Sequence, residues 1–220
     1  MELKEFGDLR FRHPATICVC GSSSSGKSTF VHHMLDNIDY VLDKTPTKIF
    51  YIYSHWQKPF ELLEQSGKVT FFQGWDHPEL QSPEEHKGSM WILDDVADTI
   101  KDPDWLRNFY CKKSHHLEIT ILTILHNIFS RAIPHLREIS LNCQITVFLA
   151  SPRALDSIST FSHQVFKDKA KAFLQVYRKV CEEKPYGYCL VDASPLCPPQ
   201  LRIRTNIFEF EKPLTVYIPI

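Results

Sequence analysis

Glycine is scarce in this chain, and long apolar runs are absent. Only seven of the 220 residues are glycine, so a place where two glycines stand close together is informative. No apolar run approaches the roughly 18 residues of a membrane-spanning helix. The N-terminus also lacks the basic segment and apolar run of a signal peptide. We therefore expect an intracellular protein that is not secreted and has no membrane partner.

Cysteine pairs of the Cys-x-x-Cys type are also missing, although the chain has seven cysteines. An odd count without such a pair favours free thiols in a reducing compartment. We tested Cys111, His115, His116 and Cys143 as a zinc set. Their spacing matches no common zinc site, so the sequence gives no support for a zinc ion.

The charge is balanced overall but unevenly distributed. The formal net charge is −1, which neither requires nor excludes a nucleic-acid partner. Acidic residues dominate 76–104 and basic residues dominate 153–204, a pattern that two solvated faces would explain. With 43% hydrophobic residues, the chain can build a core. We expect one domain over 1–220, with a lead-in at 1–13 and a C-terminal tail at 209–220.

Two of the few glycines frame the pattern G-x-x-x-x-G-K-[ST], the phosphate-binding loop or Walker A motif. Its residues are Gly21, Ser22, Ser23, Ser24, Ser25, Gly26, Lys27, Ser28 and Thr29. An apolar, partly β-branched segment at 15–20 predicts a buried strand before the loop. Apolar residues at helical spacing predict a helix after it. This context favours a nucleotide site over an ordinary serine-rich loop.

The residue types of the loop suit the phosphates of ATP. Gly21 and Gly26 permit backbone conformations in which successive N–H groups surround an anion, and a helix N-terminus adds partial positive charge. We expect Lys27 to reach the β- and γ-phosphates and Ser28 to bind Mg²⁺. By its position, Thr29 is expected near the α-phosphate.

A second motif is an apolar segment, 90–93, followed by Asp94 and Asp95. It predicts a Walker B strand, in which Asp94 holds Mg²⁺ through water and Asp95 polarises the attacking water. Many motor ATPases have glutamate at the second position, so Asp95 has a shorter reach as a general base. Apolar strands that end in two aspartates are often purely structural. Because this strand follows a phosphate loop in the chain, we expect it to be the Walker B strand that accompanies the Walker A motif.

The β-branched run 119–125 predicts a central strand buried on both faces. It ends at His126 and Asn127, and a polar side chain there can sense the γ-phosphate. We assign that role to Asn127, with a turn-forming asparagine as the alternative.

The remaining elements alternate strands with helices. We expect strands at 48–54, 69–72, 143–150, 187–192 and 201–208, helices at 60–65, 104–113, 154–166 and 168–183, and a loop at 78–88. This alternation predicts an α/β fold, with a mainly parallel sheet and helices on both faces.

Signatures of several P-loop classes are missing. The sequence has no Asn-Lys-x-Asp for guanine recognition, no Leu-Ser-Gly-Gly-Gln of a transporter cassette, no arginine-rich lid and no downstream helicase motif. What remains is a RecA-like (ASCE) P-loop NTPase with an added strand between the two Walker strands.

Narrower segments extend from about residue 10 to residue 208. They are 11–14, 53–57, 114–116, 127–129, 137–142, 152–153, 185–188 and 201–208. On these segments the chain resembles the FtsK/HerA-type genome-packaging ATPases of double-stranded DNA viruses. The resemblance is closest to those of Polinton/Maverick and adintovirus-like elements, which are relatives of the poxvirus packaging ATPase. The chain departs from them at His126, where relatives typically carry glutamine, and in its serine-rich loop.

The resemblance implies an ATP-hydrolysing translocase of double-stranded DNA that packages a viral genome into a capsid. It implies a homo-oligomeric ring with ATP and Mg²⁺ between subunits, and an arginine that reaches the neighbouring site. We favour Arg137 because it lies in a matched segment, with Arg131 and Arg153 as alternatives and Lys112 and Lys113 as the fallback.

The expected partners are double-stranded DNA, held without base reading, and capsid proteins. The expected location is the host nucleus, a cytoplasmic virus factory or the virion. Two alternatives remain open. One is a cellular or mobile-element ATPase of the same fold that acts on another polymer, and the other is a nucleotide-binding structural protein whose hydrolysis has decayed.

Overall fold

A computed structural model describes residues 8–97, 99–100, 102–130, 133, 136–211 and 213–218 of the chain. Over these residues one sheet contains all the named strands. In chain order they are β1 (Thr16–Cys20), β2 (Ile49–Tyr53), β3 (Val69–Gln73), β4 (Met90–Asp94), β5 (Thr120–Leu125), β6 (Ile145–Leu149), β7 (Tyr188–Asp192), β8 (Ile203–Thr205) and β9 (Thr215–Tyr217). Their order across the sheet is β3-β2-β4-β5-β1-β6-β7-β8-β9.

The helices fill the connections between these strands. They are α1 (Lys27–Asp36), α2 (Ile38–Val41), α3 (Phe60–Gln65), α4 (Pro103–Asn108), α5 (Ser114–His116), α6 (Leu136–Leu141), α7 (Leu155–Phe166) and α8 (Ala170–Glu183). A π-helical turn, Phe109–Lys113, joins α4 to α5. Within the described ranges, no helix has both the length and the apolar character of a membrane span.

The first six strands of the sheet order run parallel, and the last three are antiparallel additions. β5 lies between β1 and β4, with Leu125 paired to Cys20 and Ile124 paired to Asp94. The strand that we expected between the two Walker strands is therefore present. The antiparallel pairings of β6 with β7, β7 with β8 and β8 with β9 complete the sheet. The mainly parallel α/β sheet predicted from the sequence is confirmed.

Helices cover both faces of the sheet because alternate side chains of each buried strand point to opposite sides. Val19 of β1 shares one apolar cluster with Met34 of α1. Its neighbour Cys18 shares the opposite cluster with Phe161 of α7 and Phe173 of α8. Burial on both faces explains the continuous apolar runs seen in the sequence.

Several element boundaries differ from the predictions. The predicted strand 201–208 is shortened to β8, because Asn206 takes a left-handed conformation with φ 56°, which ends an extended strand. The predicted helix 104–113 begins one residue earlier and passes into the π turn. The predicted loop 78–88 contains two short 3-10 turns. Four named elements were not predicted: the short helices α2, α5 and α6, and β9, which lies in the expected tail.

Tyr177 connects helix α8 to the carboxyl end of β6. Its hydroxyl donates to the carbonyl oxygen of Leu149 at 3.0 Å and accepts the N–H of Ser151 at 3.0 Å. The Ser151 hydroxyl in turn donates to Ser22 Oγ at 3.0 Å. The phosphate loop is therefore connected to α8 through Ser151, whose backbone contacts Tyr177 and whose hydroxyl contacts Ser22.

We expect Tyr177→Phe to lower the free energy of unfolding by about 1–3 kcal/mol, because it leaves buried backbone groups without a partner. Chemical denaturation would measure the loss. Tyr186→Phe is the matched control, since its side chain is 69% exposed, and should change stability by less than about 0.5 kcal/mol. Equal stability of the Tyr177→Phe variant and the original chain would contradict the proposed connection.

Candidate nucleotide-binding site

The phosphate loop leaves β1 at the carboxyl edge of the sheet and enters α1 at Lys27. Gly26 precedes the helix with φ 96°, and Ser24 also has a left-handed conformation with φ 61°. Among the described residues, no side chain accepts a capping hydrogen bond from the backbone N–H groups in the first turn of α1. Left-handed residues in a loop turn successive N–H groups into a concave anion site.

The two glycines of the motif are each required by their surroundings. A Cβ atom on Gly21 would lie 2.4 Å from Ser25 Oγ and 2.9 Å from the Cβ of Leu149. A Cβ atom on Gly26 would lie 3.2 Å from Cδ1 of Tyr186, in addition to the strain of a positive φ. The backbone of the loop is thus bare where a phosphate would approach. This bare cradle and the lysine that follows it fit a nucleoside triphosphate.

The other residues of the loop differ in their exposure to solvent. Ser23, Ser24 and Thr29 are exposed, Ser22 and Ser28 are half-buried, and Ser25 is buried. Ser28 and Asp94 lie at the same edge of the sheet, and hydroxyl and carboxylate oxygens are the ligands that Mg²⁺ prefers. They remain the predicted Mg²⁺ ligands.

Lys27 is buried, and its ammonium group folds back over the loop. Nζ donates to the carbonyl oxygens of Gly21 at 2.9 Å and Ser22 at 3.0 Å, and lies 3.3 Å from His126 Nδ1. Burial lowers the pKa of Lys27, whereas the charges of Asp95 and Asp94 raise it. The two carboxylates therefore help to keep a partly buried ammonium charged beside the cradle.

Asp94 ends β4 as a buried carboxylate. Its Oδ2 accepts a hydrogen bond of 2.9 Å from the Tyr51 hydroxyl on β2. Burial, with a smaller contribution from the charge of Asp95, raises the pKa of Asp94 to about 6, although the Tyr51 hydrogen bond and Lys27 oppose the rise. The geometry holds one carboxylate oxygen in place and keeps this charge in a poorly solvated position.

Asp95 and His126 face each other at the ends of adjacent strands. Asp95 leaves β4 with φ 52°, a conformation that aspartate tolerates better than most residues. Its Oδ1 lies 3.4 Å from His126 Nε2. Because β5 separates β1 from β4, His126 lies between Lys27 and Asp95. The sequence had marked His126 only as a departure from relatives, so this bridging position was missed.

Asn127 has a different environment from the one expected of a phosphate sensor. Its Oδ1 accepts the N–H of Phe129 at 2.9 Å and the hydroxyl of Ser157 at 3.2 Å. These bonds close a turn and connect it to α7, as in the turn-forming alternative. Asn127 nevertheless lines a small cavity with Gly21 and Ser22, so the sensor role stays a prediction.

The candidate arginines occupy different places. Arg137 is exposed on α6, whose Leu136 and Ile139 are buried. Arg153 lines the cavity beside the phosphate loop of its own chain, and Arg131 lies outside the described residues. Of the fallback lysines, Lys113 pairs with Glu84 at 2.8 Å. An exposed position suits a residue that acts on a neighbouring subunit, and Arg137, Arg153 and Lys112 are all exposed.

Tyr186 is a further residue that the sequence analysis did not assign. It belongs to a segment quoted only for the family resemblance, yet its ring lies beside Gly26. Its side chain is 69% exposed. No pattern in the sequence connects these two positions, because the contact depends on how the segment before β7 returns to the loop.

We expect the stability of the nucleotide-free protein to fall as pH rises through the titration of Asp94. The folded pKa of about 6 lies above the ordinary value of 3.8, so between these values the folded chain keeps a proton that the unfolded chain has lost. Asp94→Asn removes this dependence. The variant should be more stable than the original chain by up to about 3 kcal/mol near pH 7, with little difference near pH 4.

Urea denaturation in a chelator at several pH values would measure this difference. Asp168→Asn, at an exposed position between α7 and α8, is the control and should change stability by less than about 0.5 kcal/mol. An Asp94→Asn variant that is less stable near neutral pH would show that burial of the charge is not the dominant effect.

Comparison with solved structures places this geometry in a known fold. The genome-packaging NTPase B204 of Sulfolobus turreted icosahedral virus 2, in complex with AMPPCP, is similar with a TM-score of 0.53 and 13% identity, over 94% of this chain and 98% of that chain. The same NTPase in complex with ATP-gammaS is similar with a TM-score of 0.53 and 14% identity, over 94% and 98% of the two chains. No protein-family model and no curated protein matches this chain. At these identities the likeness establishes the fold, which is that of a RecA-like P-loop NTPase.

Proposed function

We propose that this chain is an ATPase that translocates double-stranded DNA and packages a viral genome into a capsid. The observation that carries the proposal is the convergence of Lys27, Asp94 and Asp95 at one edge of the sheet, beside a loop shaped for phosphates. The segments shared with FtsK/HerA-type packaging ATPases support the choice of DNA. The similarity to a viral packaging NTPase over nearly its whole length agrees with it.

In the proposed reaction, the loop N–H groups and Lys27 bind the phosphates of ATP. Ser28 and Asp94 would hold Mg²⁺, which would supply positive charge against the phosphate oxygens. Tyr51 fixes the orientation of Asp94 through its hydrogen bond of 2.9 Å. Lys27 leaves its contacts with the loop carbonyls to reach the phosphates, so binding replaces one set of acceptors with another.

The proposed assembly is a homo-oligomeric ring around DNA, with capsid proteins as further partners. It would act in the host nucleus or a cytoplasmic virus factory, or in association with the virion. The exposure of Arg137, the residue that we favour for the neighbouring site, is compatible with such a ring.

ATP turnover by the purified, nucleic-acid-free oligomer should rise on addition of double-stranded DNA of any sequence. Lys27→Ala should reduce the stimulated rate by a factor on the order of 10² or more, because it removes charge from the transition state. Lys48→Ala is the matched control, since Lys48 is exposed before β2 and should keep the full rate. A phosphate-release assay with DNA, RNA and no polymer would measure both effects.

Stimulation by RNA alone would instead favour an ATPase that acts on another polymer. Tight binding of ATP without turnover would favour a structural protein with decayed hydrolysis. Either result would overturn the packaging proposal.

If Arg137 acts on a neighbouring subunit, two inactive variants should complement each other. Arg137→Ala and Lys27→Ala are each expected to lose turnover by a factor on the order of 10² or more. Mixed oligomers pair the intact Lys27 site of one subunit with the intact Arg137 of another, so activity should return. Phosphate release over a range of mixing ratios would measure it.

Arg107→Ala is the control for this experiment. Arg107 lies 3.7 Å from Glu138 of the same chain, and its loss should leave turnover largely intact. Mixed oligomers with no recovered activity would exclude Arg137 as the residue that acts between subunits.

A further inference from the structure

We propose that His126 is the general base of ATP hydrolysis and that Asp95 is its partner. This inference rests on the proposed ATPase function and assigns a role that the sequence motifs gave to Asp95 alone. It starts from the position of His126, whose ring lies between Lys27 and Asp95 at the end of β5.

The two neighbours of the ring determine which nitrogen carries the hydrogen. The Lys27 ammonium can only donate, so Nδ1, at 3.3 Å from Nζ, is the accepting nitrogen. The Asp95 carboxylate can only accept, so Nε2, at 3.4 Å from Oδ1, carries the N–H. The two contacts therefore assign the hydrogen to Nε2 and the accepting lone pair to Nδ1.

In this arrangement the base is blocked until the nucleotide binds. While Lys27 contacts Nδ1, the lone pair is occupied. When the ammonium moves to the phosphates of ATP, Nδ1 becomes a free acceptor beside the loop. Binding of the substrate thus exposes the group that is needed to activate water.

The chemical step is balanced with His126 as the base. Nδ1 takes a proton from a water molecule as the water oxygen forms a bond to the γ-phosphorus. The bond from that phosphorus to the β,γ-bridging oxygen breaks, and its electron pair leaves with ADP. Asp95 stabilises the positive charge that forms on the ring, through the N–H on Nε2. The ring then returns its proton to solvent.

The short side chain of Asp95 is consistent with this division of roles. Asp95 lacks one methylene of the glutamate found at this position in many motors, and its carboxylate is directed at the ring of His126 rather than being free. The imidazole extends the reach of the pair toward the loop. Asp94 does not compete for the role, because Tyr51 holds its carboxylate in a buried position.

His126→Gln is the decisive variant. Glutamine can still accept from Lys27 and donate to Asp95, so a purely structural histidine predicts a rate close to the original. A general base predicts a fall in kcat on the order of 10², with nucleotide affinity changed by less than about threefold. His163→Gln, at an exposed position on α7, is the matched control and should keep the original rate.

A second measurement does not depend on turnover. Nitrogen-15 NMR of the nucleotide-free protein, with the His126 ring assigned by its absence in His126→Gln, reports which ring nitrogen carries the hydrogen. We expect it on Nε2. A hydrogen on Nδ1 would overturn the proposal, because that nitrogen could not accept a proton from water.

The outcomes separate this inference from the proposed function. An inactive original chain would overturn the ATPase function itself. An active original chain with a His126→Gln variant of similar kcat would overturn only the role of His126. A large loss of kcat in the variant, with unchanged affinity and the hydrogen on Nε2, supports both.

Discussion

The insertion of β5 between β1 and β4 is the constraint on which the site depends. In a parallel sheet, the carboxyl ends of neighbouring strands lie at one edge. β1 ends at the phosphate loop, β4 ends at Asp94, and β5 supplies His126 between them. With β1 and β4 directly paired, no side chain from a third strand could stand between Lys27 and Asp95. The register of three strands therefore assembles groups that are far apart in the sequence.

Burial gives these groups their chemical character at a cost in stability. Asp94 is 4% exposed and Lys27 is 8% exposed, so each charge is poorly solvated and depends on the other. Their attraction is stronger at the sheet edge than it would be in water. The rise in the pKa of Asp94 shows that this attraction does not fully offset desolvation. Buried charges destabilise the folded chain. The proposed binding site for phosphates and Mg²⁺ needs them nevertheless.

The sequence predicted most of the fold because local patterns determine it. β1, β4 and β5 are continuous apolar runs bounded by glycine or polar residues, and the glycines of the phosphate loop specify their own conformation. α6 and β9 escaped prediction because each is short and is stabilised by tertiary contacts rather than by its own pattern. Sequence motifs assigned roles to Lys27 and Asp94, and these roles stay predictions.

The orientation of the His126 side chain could not be predicted from the sequence. His126 and Asn127 are both polar and adjacent, and the chain leaves the strand at this point. Which of them faces Lys27 depends on the turn closed by Asn127 Oδ1 and on its bond with Ser157. That turn needs α7 in place, and α7 follows 28 residues after Asn127, counting to Leu155. The orientation of these two side chains therefore depends on a contact with a helix that is distant in the sequence.

Charge balance is the physical argument for the arginine that we propose from a neighbouring subunit. Lys27 opposes two carboxylates, Asp94 and Asp95, so these three groups together carry a net negative charge before any phosphate binds. In the proposed reaction, Mg²⁺ would offset part of the added charge of ATP, but transfer of the γ-phosphoryl group would spread further charge over its oxygens. Both candidate arginines are exposed, but Arg153 lines the cavity beside the phosphate loop of its own chain and Arg137 lies on α6. An arginine in the same chain would leave the site complete in a monomer. In the proposed ring, an arginine from a neighbour would make hydrolysis depend on assembly and would couple the chemistry of one subunit to the position of the next.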